Sequence, residues 1–111
     1  MISMLAWFSA FVVTQLIECP IYRIALKHRT GPWLWAFGAS LITHPIVYFG
    51  FSAARFDSYV SMLSWAEAFA VLAEAIYLQV LGVRFSILWA LGANILSAAI
   101  GLGLRSLIGW P

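Results

Sequence analysis

The sequence predicts an all-α, polytopic membrane protein: an antiparallel four-helix transmembrane bundle with short loops, in one domain spanning residues 1–111. Three observations predict it. Hydrophobic residues make up 64% of the chain and charged residues only 9%, against roughly 25% charged in an ordinary soluble domain. A soluble fold of this size buries only part of its chain's surface, so this much apolar side chain has nowhere to go but lipid. Finally, the apolar residues fall into four stretches, each near the ~20 residues needed to cross about 30 Å of hydrocarbon.

The first span runs from about Met1 to Tyr22. Its start has no basic region and no small-residue cleavage site, so it reads as a retained helix. The second begins near Pro32, a favoured first helical residue, and ends near Ala54. The third runs from about Ser58 to Val80, and the fourth from Ser86, placed as an N-cap, to near Leu104. Arg23–Thr30, Arg55–Asp57 and Leu81–Arg84 connect them, and connections this short make consecutive helices antiparallel neighbours.

Lys and Arg in the short loops set the orientation. Arg23, Lys27, Arg29 and Arg84 lie on one side, and Arg55 and Arg105 on the other. This bias puts the first and third loops in the cytoplasm and both termini outside, in a bacterial inner membrane. Trp33, Trp35, Tyr59 and Trp110 lie near span ends, where aromatic belts form.

The net charge of +2 is small and scattered, which excludes the basic footprint of a nucleic-acid binder. One cysteine, Cys19, excludes an internal disulfide framework. No nucleophile elbow, P-loop or dinucleotide motif is present, so no catalytic residues are assigned and an enzyme is not expected.

The informative residues are the polar ones inside the spans. Of four acids, only Asp57 is in a loop; Glu18, Glu67 and Glu74 fall within helices. A charged acid at a helix centre costs about 2.5–3.5 kcal/mol on insertion scales. The eight Leu, Ile, Val and Phe residues of the third span return only about −0.3 to −0.6 kcal/mol each. That helix therefore depends on its neighbours. Glu67 and Glu74 share one helix face, as do Gln15 with Glu18 and Asn94 with Ser97. Thr43 and His44 stand mid-way along the second span, before Pro45. Lipid satisfies none of these groups, so Glu18, Thr43, His44, Glu67, Glu74 and Asn94 are expected in one interior polar cluster. His44, Glu67 and Asn94 are expected at one level, with Glu18 and Glu74 nearer the cytoplasmic side. Ala93, Ser97 and Gly101 form a small-residue stripe for close helix packing. Pro20 and Pro45 are expected to bend their helices, freeing the carbonyls of Leu16 and Leu41.

Two readings of the cluster follow. Polar side chains can be glue that fixes helix register, or they can mark an ion or proton path. Glu18, Glu67, Glu74 and His44 also make up a hard ligand set of the kind that binds iron, manganese or zinc, although no Glu-x-x-His pairing occurs and the cofactor, if any, is unknown. In length, span number and an acid in the first span, the chain resembles the small multidrug resistance transporters. That resemblance implies a dimer exchanging protons for cations at Glu18. It departs from the family at Glu67 and Glu74, where those proteins have a glycine-rich kink, and at Thr43-His44-Pro45. Four short-looped helices leave little room for an enclosed path. The expected function is therefore a non-catalytic subunit of a homo-oligomer or larger membrane complex, with a proton- or cation-coupled transporter or channel as the alternative.

Overall fold

The computed structural model describes residues 4–46, 50 and 59–109. The expected end of the second span near Ala54, the Arg55–Asp57 connection and Trp110 lie outside them, as does the side chain of Tyr59. Among the described residues the regular elements are four α-helices: α1 (Met4–Ala25), α2 (Pro32–Pro45), α3 (Tyr59–Val80) and α4 (Ser86–Ile108). They pack in a ring, α1 on α2 and α4, and α3 on α2 and α4.

Local chemistry sets the helix ends. Gly31 takes a left-handed conformation (φ 67°) that turns the chain into α2, and Pro32 follows with its ring already at a helical φ. α1 continues through Pro20 to Ala25. Pro45 is the last residue of α2, and the Ile46 amide donates to the Thr43 carbonyl just beyond it.

α3 ends in a Schellman motif. The Val83 amide donates to the Leu78 carbonyl at 2.9 Å and the Gly82 amide to that of Gln79 at 3.0 Å, with Gly82 at φ 84°. The apolar pair that accompanies this motif, Leu78 and Val83, is buried in the core. Ser86 is not the N-cap of α4. That position is held by Phe85 in a left-handed conformation (φ 57°), and Ser86 is the first helical residue. The Ser86 hydroxyl instead donates to Gln79 Oε1 across the turn at 3.1 Å.

The interior combines small and polar side chains with Tyr22, Leu26 and Leu78, and many large apolar side chains lie on the exterior. Ala36, Ala39, Ala66, Ala70, Ala75, Ala90 and Ala93 are buried beside Gln15, Glu18, Ser40, Thr43, Glu74 and Asn94. Leu16, Leu34, Trp65, Leu72, Ile76, Leu88 and Leu107 are each more than half exposed. Of the small-residue stripe on α4, Ala93 is fully buried, but a Cβ added at Gly101 would meet nothing within 4 Å. The tight approach is elsewhere: a Cβ on Gly38 of α2 would lie 2.6 Å from the Tyr77 hydroxyl of α3. One helix, Ser86–Ile108, is long and apolar enough to cross a membrane among the described residues.

Candidate functional site

On α1, Gln15, Glu18 and Tyr22 recur at three- and four-residue spacing and face the bundle interior. α2 contributes Ser40 and Thr43, α3 contributes Glu74, and α4 contributes Asn94 and Ser97, by the same periodicity. Glu18 and Glu74 are both 1% exposed. A buried carboxyl needs hydrogen-bond partners to offset its lost hydration, and these have them on every oxygen. Ser40 donates to Glu18 Oε1 at 2.6 Å and Ser97 to Glu18 Oε2 at 2.5 Å. Glu74 Oε1 accepts from the Tyr22 hydroxyl at 2.5 Å and from Asn94 Nδ2 at 3.0 Å. Glu74 Oε2 accepts from the Thr43 hydroxyl at 2.6 Å. The second Asn94 amide hydrogen goes to the Ala90 carbonyl at 2.8 Å.

These bonds reach all four helices. Glu18 ties α1 to α2 and α4, while Glu74 ties α3 to α1, α2 and α4.

Of the six residues expected in the cluster, the structure brings Glu18, Thr43, Glu74 and Asn94 into this network. His44 lies against Phe11 of α1, with ring centroids 5.5 Å apart at 51°. Glu67 is half-buried two turns from Glu74, and its Oε2 has no hydrogen-bond partner among the described residues. Gln15 bonds the Phe37 carbonyl through Nε2 at 3.2 Å, and its Oε1 is likewise unpartnered among the described residues. The expected level of Asn94 with His44 and Glu67 gives way to a pairing with Glu74. The α3–α4 turn sets this register: Glu74 and Asn94 are each ten residues from Arg84, so the hairpin folds them face to face.

Tyr22 and Ser40 are members that sequence reasoning missed. Tyr22 is one turn beyond Glu18, and Ser40 is three residues before Thr43, so the helical spacing that grouped the acids also marks both.

A second polar assembly lies at the end holding the α1–α2 connection and the α3–α4 turn. His28 Nε2 and Arg29 Nη1 both donate to the Leu81 carbonyl, at 3.1 and 3.2 Å. The Arg29 guanidinium lies 4.9 Å from the centre of the Trp35 ring and that of Arg23 5.8 Å from the Trp33 ring. Among the described residues no group of three or more His, Cys, Asp or Glu is gathered closely enough to hold a metal ion. No family model, curated protein or solved structure matches this chain.

Proposed function

We propose that this chain is a non-catalytic, membrane-embedded subunit that spans the bilayer four times, in which buried carboxyls fasten the helices together. The observation that carries the reading is the saturated network around Glu18 and Glu74, which reaches every helix and leaves no carboxyl oxygen of either residue without a partner. Groups so fully engaged hold register, as polar side chains do between helices in lipid. The membrane half of the proposal rests on the distribution of side chains. The outward surface carries exposed Leu, Ile, Phe and Trp on all four helices, far more apolar surface than a soluble monomer leaves in contiguous patches. Helices of 22 and 23 residues reach about 33–35 Å at 1.5 Å per residue, the scale of a bilayer core. The partner is a second copy or a larger membrane complex.

A proton- or cation-coupled transporter is the second reading. Its support is the pair of buried glutamates Glu18 and Glu74, with a Glu67 oxygen two turns along α3 that has no hydrogen-bond partner among the described residues.

One comparison separates the two. Wild type, Glu18→Gln and Glu74→Gln are purified in mild detergent for size and thermal stability, then reconstituted in liposomes for proton and cation flux. A scaffold predicts reduced stability or altered assembly in the variants and flux at the level of empty liposomes throughout. Wild-type flux abolished in variants that assemble normally would replace this reading with the transporter.

A further inference from the structure

The basic end of the bundle contains a built groove that the carboxyl network does not use. It has a volume of about 410 Å³ and is lined by His28, Arg29, Thr30 and Trp35. Its arginine is held in place before any ligand arrives. Nη1 is fixed on the Leu81 carbonyl at 3.2 Å and the guanidinium plane lies 4.9 Å over the Trp35 ring. Arg29 Nε is buried and has no hydrogen-bond partner among the described residues. A buried donor without an acceptor is unfavourable, and it belongs to a guanidinium that lines the groove.

The surroundings specify its charge. His28 is fixed by its bond to Leu81, and Thr30 adds an exposed hydroxyl. Arg23 and Arg84 lie over Trp33 and Phe85, and Lys27 is exposed in the same connection. The acids Glu18 and Glu74 are turned into the bundle on their own donors. A guanidinium, whose five N–H donors exceed its one bond to Leu81, with a hydroxyl and an imidazole around a cavity of this size matches a phosphate group. Trp33 and Trp35 have the amphipathic character of residues at head-group depth, and basic pockets between helices on the cytoplasmic side are where anionic head groups dock.

We propose that the groove formed by His28, Arg29, Thr30 and Trp35 binds the phosphate of an anionic phospholipid. The site rests on the membrane reading, because only a bundle in a bilayer brings a head group to this end.

The test uses the full chain in detergent with phosphatidylglycerol, phosphatidylcholine or inorganic phosphate added separately, read by native mass spectrometry and thermal melting. Phosphatidylglycerol is expected to remain as a bound adduct and to raise the melting temperature, while phosphatidylcholine and inorganic phosphate do neither. Arg29→Gln should weaken the adduct about tenfold, roughly the loss of one charge-assisted contact. Because Arg29 also holds Leu81, Thr30→Val serves as a second groove variant and should weaken the adduct without changing the lipid-free melting temperature. Lys27→Gln, outside the groove lining, should leave the adduct intact. Equal retention of phosphatidylcholine, or indifference to both groove variants, overturns the site. Matching stabilisation by inorganic phosphate overturns the lipid assignment in favour of a soluble phosphate. Insertion into pure phosphatidylcholine vesicles, scored by resistance to alkaline extraction, is measured alongside. Protein that inserts there but gains nothing from phosphatidylglycerol refutes the groove alone, and protein that does not insert refutes the membrane reading.

Discussion

Glu18 of α1 and Glu74 of α3 both turn into the helix ring, and five side-chain donors from α1, α2 and α4 bond the pair. Buried alanines accompany them, Ala39 on α2, Ala70 and Ala75 on α3, and Ala90 and Ala93 on α4, with the hydroxyls of Ser40 and Thr43. Hydrogen bonds thus link all four helices at the bundle centre.

Replacing Glu74 tests that linkage. Glu74→Leu strands the Tyr22 and Thr43 hydroxyls and one Asn94 amide hydrogen. Each orphaned group costs about 1–3 kcal/mol before repacking, so a loss of roughly 2–4 kcal/mol is expected. Glu74→Gln keeps an acceptor, and the hydroxyls can reorient toward its amide, so about 1 kcal/mol is expected. Thermal unfolding followed by circular dichroism in detergent gives the ranking. Equal effects from Leu and Gln would show that the hydrogen bonds contribute nothing specific.

The contact between Gly38 and Tyr77 makes a sharper prediction. A methyl on Gly38 would fall 2.6 Å from the Tyr77 hydroxyl, which donates to the Trp35 carbonyl at 2.8 Å. Gly38→Ala should destabilise by about 1–3 kcal/mol, the usual range for overpacking. Adding Tyr77→Phe removes the clashing oxygen, so the double variant should be more stable than Gly38→Ala alone. This sign of non-additivity is diagnostic of direct contact. Gly92→Ala, where the new Cβ meets nothing within 4 Å, is the control and should be neutral or mildly stabilising.

At the α3–α4 turn, Gly82 sits at φ 84°. An L residue there costs about 1–2 kcal/mol, so Gly82→Ala should lower stability by that amount. Hydrogen exchange should show the loss first at the Gly82 and Val83 amides, which close the motif. Unchanged protection at both would contradict the assignment.

The sequence made much of this legible, for physical reasons that differ by residue. Four helices could be read because apolar stretches were separated by short polar breaks, and Gly31-Pro32 marked a helix start in plain chemistry. Glu18, Glu74 and Asn94 stood out because their insertion costs demand partners. Ser40 and Tyr22 did not stand out. A serine hydroxyl satisfies itself against its own helix backbone and leaves no gap in the apolar pattern, and a tyrosine near a helix end reads as an interfacial aromatic. Antiparallel packing of the spans puts Asn94 level with Glu67, whereas the α3–α4 turn fixes its register against Glu74. Phe85 could not be foreseen as the cap, since nothing in an exposed phenylalanine announces a left-handed backbone. The groove at His28 and Arg29 was hidden because it takes shape only when two connections distant in sequence converge on the Leu81 carbonyl.

The claim that the chain spans the bilayer four times, with its basic connections together on one side, is tested most directly by cysteine accessibility in sealed vesicles. Cys19 is first replaced by serine, and single cysteines are placed by Lys27→Cys, Asp57→Cys, Arg84→Cys and Gly109→Cys. A membrane-impermeant maleimide is then added from one side at a time. The account predicts that positions 27 and 84 label together from the cytoplasmic side, and positions 57 and 109 from the opposite side. Labelling of positions 27 and 57 from the same side would contradict it.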